Sequence, residues 1–266
     1  MNLFTTSDGT ALNYRTSGEG NAIVMIHTAF DNLTVFDMIE ENFTDDNQVI
    51  LVDLRGHGYS DKPQHIDFKE YAEDIKELLD YLYVTQASLI GHELGGSVAS
   101  AFAAMYPEMA DSITLVNPTL LNDMSPEERL YRRYANQIRN WDKEEQQKFL
   151  DKHLYYSKRK AKKFLKHVDN TNGIATEAEL EAVKDSFNDN NIMSYLSEID
   201  LPILIIASQH GERTTIVEAK EVGDYIGEVQ FETFTASGLY PFVEEKDKFV
   251  DLVLKFIKDN EKELTY

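Results

Sequence analysis

The stretch Ala87-Ser-Leu-Ile-Gly-His-Glu-Leu-Gly-Gly96 decides how the rest of the chain is read. Its first residues form a short apolar run of the kind that makes a buried strand. From Leu94 the pattern changes to small and apolar residues at helical spacing, ending at Tyr106 before the helix-breaking Pro107. A strand therefore turns directly into a helix, with Glu93 at the bend and glycines on either side of it.

Outward from this point the same alternation recurs. LFTT precedes a Ser-Asp-Gly turn, ALNYR precedes Ser17-Gly18-Glu19-Gly20, and Ala22–Ile26 is a continuous apolar run, giving two edge strands and a buried one. QVILVDL (48–54) reads as the next buried strand. Phe68–Tyr83 places Tyr71, Ile75, Leu78, Leu79 and Leu82 on one helical face. DSITLVNPT is a strand closed by Pro118, and LPILIIAS another. A helix over 215–226, the strand VQFETFTA and a final helix through Phe249, Leu252, Val253 and Phe256 complete the chain. Repeated strand–helix–strand units predict an α/β fold with a mostly parallel sheet. Residues 120–197 carry only helical patterns rich in charge and aromatics, so a helical lid insertion is expected there, within a core made of 1–119 and 198–266.

Composition limits the function. Apolar residues make up 42% of the 266, an ordinary globular share. The absence of cysteine and of a basic, apolar leader at the start leads us to expect a cytoplasmic protein. The longest apolar runs fall well short of the roughly 20 residues that span a bilayer, so no membrane association is expected. A formal charge of −21 opposes nucleic-acid binding, which relies on clustered Lys and Arg. The charge is uneven, however: between Arg129 and Lys166 thirteen basic residues stand against four acidic ones. That segment is either a solvated helical face or a surface for an anionic partner.

Three motifs carry a resemblance to a known family. These are Gly91-His-Glu-Leu-Gly95 at the strand–helix bend, His27-Thr28 after the third strand, and Asp53-Leu-Arg-Gly-His-Gly-Tyr-Ser-Asp-Lys-Pro63 after the fourth. Together they resemble the α/β-hydrolase superfamily, in its esterase, haloperoxidase and dehalogenase-like branch, along essentially the whole chain. The resemblance implies an eight-stranded, mostly parallel twisted sheet and a Ser/His/acid triad. All three triad positions depart from the family pattern. Glu93 stands where the G-x-S-x-G nucleophile is expected, Gly211 where the acid is expected after LPILIIASQ, and Leu239 where the histidine is expected in Ser237-Gly-Leu-Tyr-Pro-Phe-Val-Glu244.

A serine needs a base and the base needs an orienting acid, so an ordinary serine esterase is not expected. A carboxylate in this position attacks alkyl carbon in the family's dehalogenases and epoxide hydrolases, but Leu239 has no basic atom with which to activate water. His210 is the candidate substitute base, with Glu212 as a displaced acid. Glu93 itself has two readings: seated in the oxyanion hole on the amides of Leu94 and of Ala29 or Phe30, or desolvated with a raised pKa and acting as a general acid or base. Thr28 replaces the usual glycine of the oxyanion loop. A ligand pocket is expected to involve Thr28, Ala29, Phe30, Leu94, Leu239, Tyr240 and Trp141, with Tyr131, Tyr134, Tyr155 and Tyr156 as further lid aromatics. His27, His57 and His92 read as structural, as do Ser60 and Ser97. No histidine spacing suggests a metal, and no cofactor is expected. The leading expectation is a non-hydrolytic binder of a small molecule or a protein partner. The alternative is an enzyme, such as a lyase, isomerase or atypical hydrolase, using Glu93 as base or nucleophile.

Overall fold

A computed structural model describes residues 2–119, 125–188 and 192–261. The eight strands among them are β1 (Asn2–Thr5), β2 (Ala11–Ser17), β3 (Asn21–Ile26), β4 (Asn47–Val52), β5 (Ala87–His92), β6 (Ala110–Val116), β7 (Ile203–Ser208) and β8 (Gln230–Phe234). They form one sheet in the order β1-β2-β4-β3-β5-β6-β7-β8. β1, β2 and β4 pair antiparallel, and every later pairing is parallel. β3, β5 and β7 are buried on both faces, which accounts for their unbroken apolar runs. Consecutive strands β3, β4 and β5 place β3 in the middle, so the chain leaves β3 to one side and later returns on the other. The crevice beyond the ends of β3 and β5 is the place where such sheets seat ligands.

The helices cover both faces. α1 (Phe68–Tyr81) begins at a capping box of Asp67 and Glu70 and buries Tyr71, Ile75, Leu78 and Leu79. α2 (Leu94–Met105) is buried over most of its length, and its glycines, serines and alanines allow close approach to β3, β5 and β6. Between β6 and β7 the described residues form α3 (Pro126–Ile138), α4 (Lys143–Asp151), α5 (Lys158–Phe164), α6 (Glu177–Asn188) and α7 (Ile192–Glu198). The expected start of this insertion, Leu120, lies outside the described residues. Its last two helices pack on the main core: Val183, Phe187, Ile192 and Leu196 share one apolar cluster with Val98, Phe102 and Leu115. α8 (Ile216–Ile226), α9 (Pro241–Glu244) and α10 (Lys246–Asp259) close the chain.

The 53–63 loop is organised around Asp53, which is fully buried. Its carboxylate accepts from the Leu33 and Tyr59 amides and from Asn13 Nδ2 at 2.7–2.8 Å. Gly58 has φ +50°, and a Cβ there would lie 2.2 Å from Asp53 Cγ. Ser60 Oγ donates to the Asp53 carbonyl at 2.6 Å, a scaffold role. Arg55, buried beneath the loop, makes a two-pronged pair with Asp74 at 2.6 and 2.7 Å.

Candidate functional site

The bend at Glu93 is held by its neighbours. Its backbone lies at φ +49°, ψ −104°, a left-handed conformation that a side-chain-bearing residue adopts only under constraint. A Cβ on Gly91 would sit 2.3 Å from the Gly95 carbonyl oxygen, and one on Gly95 would sit 2.1 Å from that of Ile26. The flanking glycines thus let α2 start directly over the ends of β3 and β5. The bend aims the Glu93 side chain toward Thr28 beyond the end of β3, where it is only 1% exposed.

The carboxylate does not rest on the backbone amides expected to form an oxyanion hole. Oε2 accepts from Thr28 Oγ1 at 2.5 Å and faces the Arg213 guanidinium at 2.7 Å, while Oε1 has no hydrogen-bond partner among the described residues. The Thr28 hydroxyl supplies the hydrogen bond, and the guanidinium stands beside it as the countercharge. Arg213 also pairs with Glu127 at the start of α3, so one buried cation joins the bend to the insertion. Burial pushes the Glu93 carboxyl up to about 7, against the pull of Arg213 and the Thr28 hydroxyl and with added repulsion from Glu127. Asp31 belongs to the same cluster. Burial raises it to about 6, opposed by Arg213 and by the Tyr240 hydroxyl, which donates to Oδ2 at 2.9 Å.

The two positions at which the sequence led us to expect an acid and a histidine hold Gly211 and Leu239, both in tightly packed surroundings. At Gly211 any Cβ would lie 2.2 Å from the Thr214 carbonyl oxygen, so the tight 211–214 turn leaves no room for an acid. Leu239 is 1% exposed. Its amide donates to the Leu154 carbonyl at 2.7 Å, and its carbonyl accepts from Asn117 Nδ2 and His92 Nε2, both at 2.8 Å. Asn117 further accepts from the Ser208 amide at 2.8 Å, tying together the loops after β6, β7 and β8.

The remaining candidates separate clearly. Thr28, Ala29, Leu94 and Tyr240 are buried, and Phe30, at φ +62°, is half-buried. Tyr240 stacks on Tyr155 with 5.5 Å between ring centroids. His210 lies outside the cluster: it is exposed, and its ring stacks on Tyr156 at 4.4 Å. Glu212 does not partner it either. Glu212 binds His153 Nδ1 at 2.9 Å and the Tyr134 hydroxyl, both from the insertion. Trp141 lies on the insertion, 39% exposed, against Phe149. Ser97 is buried one turn into α2. His27, His57 and His92 are buried, and desolvation lowers them to about 4, 3 and 3, so all three are neutral near pH 7. His27 Nδ1 donates to the Thr28 carbonyl at 2.7 Å while Nε2 accepts from the Leu54 amide at 3.1 Å, which fixes the ring behind the Thr28 loop. Among the described residues no group of three or more His, Cys, Asp or Glu could hold a metal ion.

Arg213 and Asp31 were not apparent from the sequence. Arg213 lies two residues past the expected acid, and the only signal was a lone cation at a strand end where the family places a carboxylate.

Comparison with known proteins agrees with this architecture. The family model for the alpha/beta hydrolase fold matches residues 21–245. The 2-(acetamidomethylene)succinate hydrolase of Mesorhizobium japonicum is 36% identical over 109 residues, 41% of this chain and 39% of that protein. An uncharacterized protein of Mycobacterium tuberculosis is 36% identical over 115 residues, 43% of this chain and 34% of that one. The chain thus aligns with little more than a third of the length of these curated relatives. Two solved structures share the fold over nearly their whole length. The esterase from Exiguobacterium antarcticum superposes with a TM-score of 0.81 at 19% identity, covering 96% of this chain and 98% of that one. The enol-lactonase from Burkholderia xenovorans gives 0.80 at 21% identity, covering 97% and 100%. With the strand order, the strained bend and the match over residues 21–245 in agreement, this chain belongs to the α/β-hydrolase fold family.

Proposed function

We propose that this chain is a non-hydrolytic member of its family, which binds a small molecule or a protein partner at the crevice around Glu93 and does not turn over esters. The observation that carries the reading is the state of Glu93: buried, held by Thr28 and Arg213, with the apolar Leu239 where a base would stand. A guanidinium against Oε2 withdraws electron density from the carboxylate, and among the described residues no histidine is hydrogen-bonded to it that could deliver water to an ester intermediate. Thr28, Ala29, Phe30, Leu94, Leu239 and Tyr240 are the proposed contact groups, with Trp141 as an outlying one on the insertion. A cytoplasmic location is part of this proposal. Among the described residues no helix is long and apolar enough to cross a membrane.

A second reading makes Glu93 a general base or a nucleophile. It is favoured by the unpartnered Oε1 and by the carboxyl raised to about 7, a suitable value for proton transfer near neutrality. The test is hydrolysis of p-nitrophenyl acetate by the parent and by Glu93→Gln, beside the Exiguobacterium antarcticum esterase as a working control. The non-hydrolytic reading expects both forms of this protein to stay at the buffer rate. Turnover by the parent that disappears in Glu93→Gln would overturn it and assign catalysis to the carboxyl.

A further inference from the structure

A cleft of about 630 Å³ opens between α5 of the insertion and the start of α10, and none of the groups around Glu93 lines it. Arg159, Lys160 and Lys163 enter it from α5, and Lys246 and Lys248 from α10. Two of these cations are engaged by their own fold. Lys160 donates to the Glu244 carbonyl, and Lys248 donates to the Thr233 carbonyl at 2.8 Å while lying 4.1 Å above the Phe234 ring. The side chains of Arg159, Lys163 and Lys246 have neither an ion pair nor a hydrogen-bond acceptor among the described residues.

The carboxylates of the cleft are mostly committed elsewhere. Glu244, fully buried, accepts from the Ser157 and Gly238 amides, both at 2.6 Å. Glu245 accepts from the Ala236 amide at 2.9 Å and from Ser237 Oγ at 2.6 Å. Only Asp247 stands exposed at the rim. Five cations therefore face three carboxylates, in a chain whose formal charge is −21. Arg159 and Lys163, one turn apart on α5, repel each other with no acidic residue on that helix to offset them.

We propose that this cleft binds a phosphate-bearing anion of metabolite size. Its volume falls in the range of small-molecule sites, roughly 300–1,000 Å³. The Arg159 fork matches two phosphate oxygens at once, and Lys163 and Lys246 add point charges from opposite walls. Bound there, the anion bridges the insertion to α10. Because Glu244 holds both Ser157 and Gly238, it also braces the loop that carries Leu239.

The test is calorimetric titration of the whole protein with tripolyphosphate at moderate salt. The comparison is between the double variant Arg159→Ala/Lys163→Ala and Lys148→Ala/Lys152→Ala, which removes the same charge from α4 and its end. The proposal expects saturable binding by the parent, weakened by about tenfold or more in the cleft variant and by less than about twofold in the α4 variant. Far-UV circular dichroism checks that both variants stay folded, as exposed substitutions should. Equal weakening in the two variants would reduce the effect to general charge attraction and overturn the site. So would an absence of saturable binding by the parent. Binding of a penta-glutamate peptide in place of tripolyphosphate would make the cleft a docking surface for an acidic protein and refute the phosphate assignment.

Discussion

Replacing Arg213 with Met leaves Glu93 in the crevice without its cation, and the result should depend on pH in a defined way. The pair is 2.7 Å apart, with side chains 10% and 1% exposed, so water replaces little of what is lost. The carboxyl stands at about 7 in the parent, above the ordinary 4.5. A carboxyl raised on folding holds its proton longer in the folded state, so the fold loses stability as pH rises from the ordinary value to the raised one. Without Arg213 the carboxyl rises further, which extends that loss above about pH 7, where the parent has finished paying it. The gap between variant and parent should therefore grow by about 1.4 kcal/mol per pH unit, reaching about 2 kcal/mol more at about pH 8.5 than at about pH 6. Removing one partner of a buried pair costs about 3–5 kcal/mol when the other stays charged, which bounds the effect at the alkaline end. Urea unfolding followed by far-UV circular dichroism at the two pH values measures the gap directly. Adding Glu93→Gln should shrink the pH dependence to the smaller part contributed by Asp31, which Arg213 also holds down. A gap that is the same at both pH values, or whose pH dependence is undiminished in the double variant, would refute the claim that Arg213 stabilises a charged Glu93.

Two further outcomes follow from the scaffold. Gly95→Ala drives a methyl to 2.1 Å from the Ile26 carbonyl, which neither β3 nor α2 can relieve cheaply, and should lower stability by about 3 kcal/mol or more in the same unfolding assay. Asp74→Asn leaves the buried Arg55 guanidinium without its two-pronged partner, with only Glu70 and Asp8 at 3.1 Å, and should cost about 3 kcal/mol at pH 7. A loss of under about 1 kcal/mol would mean that those two carboxylates suffice.

The parts of the molecule legible in the sequence are those fixed by local geometry. Gly91 and Gly95 mark the bend because a Cβ at either would strike backbone, and Gly58 marks the loop because it lies against Asp53. The strands could be read because β3, β5 and β7 have no wet face to interrupt their apolar runs. The candidate site was legible only in its motif positions. Gly211 and Leu239 could be read from their places in the motifs, but Arg213, the cation beside Glu93, reaches it across 120 residues of chain through a turn of no distinctive composition. His210 looked well placed because it stands next to the expected acid. The turn directs its ring outward onto Tyr156, and its neighbour Glu212 engages the insertion's own His153. The packing of α6 and α7 was hidden for a related reason: their outer faces are charged, yet Val183, Phe187, Ile192 and Leu196 enter the main core.

The strained backbone at Glu93 has a broader consequence. Its φ of +49° is imposed by glycines and strand ends, and nothing in that constraint refers to the side chain. The bend is a mounting that displays whatever residue is attached to it, at the same place and in the same direction, deep in the crevice. A fold with such a mounting can exchange its reactive group by a change at one codon while the architecture stays intact, and what the displayed group then does is decided by the neighbours that grow around it, here Thr28 and Arg213.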